Sequence, residues 1–187
     1  MRRTLVIIKP DGVNRCLIGR VLTRFEEKGL KIIGLKMERL NVYQLKDHYV
    51  HLKEKPFYQE LMDYMTSVPC VLIAIEGKDA VDVVRKLVGT TNAREADIGT
   101  IRGDFAMSVQ TNIVHASEDN QKAEEELARF FKKEELVEYD KMNFGWLYCA
   151  SEKGKYEVIE KEEKSDEETY AKEKAEIKKN EWVIKDD

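Results

Sequence analysis

Few side chains in this 187-residue sequence could make or break bonds, and His115 stands out among them, in the stretch NIVHASED at residues 112–119. With an unperturbed pKa of about 6.5, an imidazole offers a nucleophilic or basic nitrogen near neutral pH. His115 closes a short apolar run and precedes a small residue, a serine and two acids, which is how a strand gives way to a helix. A single histidine is more often a hydrogen-bonded packing group, so its meaning depends on its company. Lys9 ends the first apolar run, Arg85 lies on the helix after the third, and Arg102 closes a long turn-rich segment beside Thr91 and Thr100. Asn112 stands three residues before His115. An arginine fork matches phosphate oxygens two at a time. Together these groups describe a phosphate pocket around a reactive nitrogen, built without a glycine loop.

Other chemistries find less support. The sequence has no GxxxxGK[ST], no GxGxxG after its first strand and no HExxH. His48 and His51 are three apart on a helix and could ligate a metal, but no third partner stands out, and packing or surface roles are the commoner use. Cys16, Cys70 and Cys149 are odd in number and far apart, which fits reduced thiols rather than a disulfide framework or a zinc site. Residues 151–187 hold 13 acidic and 9 lysine side chains, against chain totals of 36 acidic and 32 basic, so the net charge of −4 belongs to them and residues 1–150 balance. A neutral body argues against a broad nucleic-acid-binding face. Neither a signal peptide nor an apolar run near the roughly 20 residues of a membrane span is seen. The expectation is a soluble cytoplasmic protein without membrane attachment.

The elements that must position these residues follow from periodicity. TLVII (4–8) reads as a strand ended by the turn residues KPDG (9–12). Ile18, Val21, Leu22 and Phe25 recur at helical spacing up to Gly29. Residues 31–40 read as a second strand. Leu45, His48, Tyr49 and Leu52 mark one helix, and Phe57, Leu61 and Met65 a second. VLIAI (71–75) reads as a central strand buried on both faces, followed by a helix through Val88. Residues 89–104 carry turn chemistry without periodicity, and so long a loop is usually functional. A strand is expected over 109–114, then a helix carrying Ala123, Leu127, Phe130 and Phe131. The order predicts an α+β, ferredoxin-like βαββαβ antiparallel sheet with helices packed on one face, plus a charged C-terminal extension. Residues 1–150 form the catalytic domain in this reading and 151–187 the extension.

At this point NIVHASED resembles the active-site stretch of nucleoside diphosphate kinases. TLVIIKPDGV (4–13), HYVHLKEKPFY (48–58), TSVP (66–69), GTTNAREADIGTIRGDF (89–105) and FGWLY (144–148) also fall in register with that family, so the resemblance spans about residues 2–148. It implies transfer of the γ-phosphate from nucleoside triphosphates to diphosphates, ATP, GTP and GDP among them, by a ping-pong route through a phosphohistidine on His115. It also implies low base specificity. Carried over position by position, Glu126 fixes the tautomer of His115 with help from Ser117. Lys9, Tyr49, Arg85, Thr91 and Arg102 surround the phosphates, and Lys9 and Asn112 reach the sugar hydroxyls. Phe57 stacks on the base, with Leu61 and Val109 on its other side. Mg²⁺ is implied as cofactor, held mainly by the nucleotide's phosphates, and a homo-oligomer is implied, a hexamer by family analogy. The chain departs from the family at Ala93 and Ile98, where prolines are usual, and at Gln110, where glycine is common. A non-catalytic regulatory or scaffold protein of the same fold is the alternative. The apolar residues of the extension, from Tyr156 to Ile184, suggest that its ends dock.

Overall fold

A computed structural model describes residues 1–141, 144–149 and 151–152. Four strands, β1 (Arg2–Ile8), β2 (Lys31–Glu38), β3 (Cys70–Gly77) and β4 (Val114–Ala116), form one sheet in the order β2-β3-β1-β4. Every pairing is antiparallel. The expected ferredoxin-like plan is therefore observed, with β1 and β3 central and apolar because both of their faces are covered.

Alternation along β1 divides the core in two. Val6 and Ile8 point to a layer with Val21, Phe25, Val84 and Val88. These come from α2 (Ile18–Glu27) and α5 (Ala80–Val88). Leu5 and Ile7 point to the opposite layer with Leu45, Met62, Met65, Leu127 and Phe130. These come from α3 (Val42–His48), α4 (Tyr58–Ser67) and α7 (Asn120–Phe130). Helices thus cover both faces, not the single face expected, because both residue sets of β1 and β3 are apolar. Phe25 is fully buried in the first layer. Phe25→Ala should cost about 3–5 kcal/mol, read as a lower denaturant midpoint at unchanged slope.

Three local readings are revised. The KPDG turn continues into a short helix, α1 (Pro10–Asn14), with proline in its first turn, where the missing N–H costs nothing. The long loop contains a 3₁₀ turn at Ala93–Glu95 and α6 (Ile101–Phe105), which Thr100 caps by accepting from the Gly103 N–H. The strand expected over 109–114 begins only at Val114. Side-chain bonds from Asn112 and a left-handed Ile113 bend the preceding residues out of extended form.

The chain divides into two units, Met1–Phe144 and Gly145–Asp187, and the sheet lies in the first. The second begins within a short helix, α8 (Phe144–Leu147). Most of the extension, including its apolar residues from Tyr156 to Ile184, lies outside the described residues. Among the described residues, no helix is long and apolar enough to cross a membrane.

Candidate active site

The site gathers where β1 and β4 end. Antiparallel pairing sets His115 opposite Ile7, and so on the sheet face that carries α3 and α7. The chain after β4 turns directly into α7, whose N-cap Asp119 accepts from the Lys122 N–H at 2.8 Å. That cap explains the second of the two acids in NIVHASED, and it starts the helix that brings Glu126 back to His115.

His115 Nε2 lies 3.0 Å from Glu126 Oε2 and the imidazole is 19% exposed. Ser117 Oγ donates to the same carboxylate oxygen at 2.6 Å. Burial alone makes the Glu126 carboxyl a weaker acid, but the bonds and charge from His115 and Ser117 outweigh that and bring it down to about 2. An ionised Glu126 accepts from Nε2–H, so Nδ1 keeps its lone pair. The contact thus favours the tautomer with its proton on Nε2.

A surface or packing role was expected for His48, and its side chain packs, against the site itself. Its side chain is buried, meets the His115 ring edge-on at 4.6 Å between centroids, and also contacts Tyr49 and Phe130. Burial and the neighbouring His115 push its pKa down to about 3, so it sits there neutral. His48, His115 and Glu126 place ligand-type atoms within 4.8 Å of one another. This nitrogen-rich set suits zinc or copper rather than Mg²⁺. His51 is exposed and apart from this cluster.

The cationic side is built at the same end of the sheet, around the end of β1 and the start of β4. Lys9 is buried at the end of β1, with Nζ donating to Asn112 Oδ1 at 2.7 Å and to the Gln110 carbonyl at 3.2 Å. Burial, then the nearby Arg102, lower its pKa to about 8. Asn112 is 1% exposed and donates to the carbonyls of Thr91 and Val109, so it joins the long loop to the chain before His115. Arg102, on α6, is buried and donates to the carbonyls of Gly89 and Val114 at 2.8 Å each. Its Nε has no hydrogen-bond partner among the described residues. Burial and the charge of Arg85 lower its pKa to about 10. Arg85 on α5 and Thr91 in the loop are exposed. At the rim, Phe57 is 42% exposed and Val109 is exposed, while Leu61 and Tyr49 are buried.

The residues singled out from the sequence therefore fall into a histidine relay, a cationic floor and an apolar rim. Reasoning from sequence missed Asp11, whose carboxylate bonds Tyr64 Oη at 2.5 Å and the Ile113 N–H at 3.0 Å. An acid directly after Lys9-Pro10 was the available signal, and its partners lie far away in sequence.

Comparison with known proteins follows the same outline. The nucleoside diphosphate kinase family profile matches residues 2–136. Nucleoside diphosphate kinase from Parabacteroides distasonis is 53% identical over 152 residues, covering 81% of this chain and 99% of its own. That from Archaeoglobus fulgidus is 49% identical over 148 residues, 79% of this chain and 98% of its own. The structure of a halophilic nucleoside diphosphate kinase from Halobacterium salinarum in complex with CDP superposes with a TM-score of 0.78 at 43% identity. It covers 79% of this chain and 99% of that one.

Proposed function

The chain belongs to the nucleoside diphosphate kinase family, an enzyme family transferring phosphoryl groups between nucleotides, and we propose that it does so through a phosphohistidine on His115. In the first step the Nδ1 lone pair attacks the γ-phosphorus of a nucleoside triphosphate. The N–P bond forms as the bond from phosphorus to the β,γ-bridging oxygen breaks, and the diphosphate leaves with that electron pair. In the second, a β-phosphate oxygen of another diphosphate attacks the phosphohistidine, and the nitrogen recovers its lone pair. One site serves both halves, so ping-pong kinetics follow. The observation that carries this reading is the His115 Nε2–Glu126 contact, which leaves Nδ1 available. It also disfavours a non-catalytic binding role, for which a tautomer-fixing carboxylate serves no purpose.

Glu126 stabilises the positive charge that develops on the imidazole as Nδ1 bonds to phosphorus, and Ser117 holds Glu126 in place. Lys9, Arg85 and Arg102 face the charge that spreads over the transferred group, with Tyr49 and Thr91 supplying further phosphate contacts. Asn112 and Lys9 serve the sugar hydroxyls. Mg²⁺ would arrive with the nucleotide, held by its phosphates and water. When bound it would neutralise charge on the phosphates.

Phe57 offers the base an exposed ring face, with Leu61 and Val109 opposite. Stacking does not read base edges, so Phe57→Ala should raise KM for ATP, GTP and CTP by similar factors with kcat little changed. Steady-state kinetics with each triphosphate check this, and loss confined to one base would contradict the stacking role.

We assign residues 1–150 to the catalytic domain and 151–187 to an appended extension. The cytoplasm is the compartment that fits three unpaired cysteines. A homo-oligomer is supported by Leu35 and Met37, exposed on the edge strand β2, and by Ile98, 94% exposed in the long loop. A hexamer is the state we propose. The decisive experiment is incubation with γ-labelled ATP and Mg²⁺. A base-stable, acid-labile label on His115 that GDP removes is expected, and an unlabelled histidine would overturn the reading.

A further inference from the structure

The chain just before the nucleophile contains a conformation that needs support. Ile113, two residues before His115, has φ 70°. A β-branched residue in that region is strained, and such a conformation persists only where its surroundings over-determine it. The Ile113 side chain is buried in the core, and three contacts with Ile113 come from the four residues after β1. The Asp11 carboxylate accepts from the Ile113 N–H at 3.0 Å, and the Lys9 N–H donates to the Ile113 carbonyl at 2.8 Å. Gly12 lies against both: a Cβ there would stand 3.1 Å from the Ile113 carbonyl oxygen and 3.2 Å from its Cγ2. Asp11 is itself held from below, because Tyr64 on α4 donates to its other oxygen at 2.5 Å.

On the reading that His115 carries the phosphate, we propose that Asp11 is a positioning residue for the nucleophile, acting through Ile113, with the Tyr64 hydroxyl locking its carboxylate. The kink at Ile113 lets consecutive residues do unlike jobs. Asn112, before the kink, turns back to hold Lys9 and the long loop, while Val114 and His115, after it, enter the β4 ladder in register with Ile8 and Ile7. An extended residue at 113 would send Asn112 and His115 along one straight strand and separate the lysine from the imidazole. Asp11 therefore couples the cationic floor to the nucleophile through the backbone at Ile113, and its charge also favours the Lys9 ammonium. A carboxylate suits the task because one oxygen is needed for the strained amide and the other for the tyrosine. Burial, and then the bond to Asp11, push the Tyr64 hydroxyl above the ordinary tyrosine value, so it stays a donor.

The test is single-turnover formation of phosphoenzyme from γ-labelled ATP in Asp11→Ala, Asp11→Asn and Tyr64→Phe, beside nucleotide affinity and melting temperature. Asp11→Ala should slow phosphoenzyme formation by about 100-fold, the order expected when a reacting group is displaced by about an ångström. Its affinity for ADP should change less than about threefold, because no nucleotide-facing group is removed. Asp11→Asn keeps an acceptor for the Ile113 N–H and should recover about tenfold of that loss, which a purely structural role would not distinguish. Tyr64→Phe, which retains the fold's packing, should slow the step by about three- to tenfold. Fast amide exchange at Ile113 in Asp11→Ala, with β1 and β3 amides still protected, would locate the change. The proposal is overturned if Asp11→Ala or Tyr64→Phe forms phosphoenzyme at the wild-type rate. It is equally overturned if the alanine and asparagine variants lose rate only in step with affinity or melting temperature. A wild-type protein without a labelled His115 would instead sink the phosphohistidine reading.

Discussion

Replacing His115 with asparagine should abolish the labelled phosphoenzyme and cut turnover by at least about 10³-fold, the least that loss of a nucleophile is expected to cost. Nucleotide affinity should stay near that of the wild type. The two outcomes separate because, on the proposed mechanism, His115 supplies the attacking nitrogen, with Glu126 at 3.0 Å from its Nε2, while Lys9, Arg102 and the Phe57 ring are anchored elsewhere. Asparagine has no ring nitrogen to form the N–P bond, and its shorter side chain leaves Glu126 with the Ser117 hydroxyl as partner. The fold should tolerate the change, since the His115 side chain is partly open and β4 is an edge strand. Equilibrium binding of ADP, a melting curve and the labelling assay give the three readings. A variant that folds, binds and still turns over at a tenth of the wild-type rate would rule out covalent transfer through this residue.

Much of this arrangement was legible in the sequence because its signals are local. The continuous apolar run at 71–75 does become a strand buried on both faces, and the helical spacing of Ala123, Leu127 and Phe130 does become the buried face of α7. Lys9 and His115 were both read at strand ends, and strand ends on adjacent strands are brought together by the sheet itself. What stayed hidden depends on partners distant in the chain. Residues 109–114 look like a strand because Val109, Thr111, Ile113 and Val114 are β-branched. Asn112 overrides that propensity through bonds to Thr91 and Lys9, whose positions no local window contains. Asp11 meets Ile113 and Tyr64 only after β1 has paired with β4 and α4 has packed near the turn. His48 looked like one apolar position on a helix face, and nothing local said that the face would press on His115.

Among the remaining side chains, the two buried cations should matter most. Lys9→Met keeps the length and the apolar stem, and should lower kcat/KM by roughly 10²–10³, the usual loss for one preorganised charge donor. Its effect should also depend on pH, and the sign follows from burial. Desolvation, reinforced by Arg102, lowers the Lys9 pKa to about 8 in the free enzyme, so its charge is present below that pH and lost above it. The pH profile of kcat/KM reports free-enzyme groups, and in the wild type it should fall as pH rises through about 8. Bound polyphosphate favours the ammonium, so kcat should hold to higher pH. In Lys9→Met that descending limb should vanish, leaving a lower, flatter profile. Arg102→Ala should match the loss in kcat/KM but differ in stability. Its guanidinium serves the carbonyls of Gly89 and Val114, and stripping donors from buried acceptors costs about 1–3 kcal/mol each. Arg102→Ala should therefore melt several degrees below Lys9→Met. A Lys9→Met profile that kept the wild-type fall near pH 8 would show that another group titrates there and would remove Lys9 from the phosphate floor.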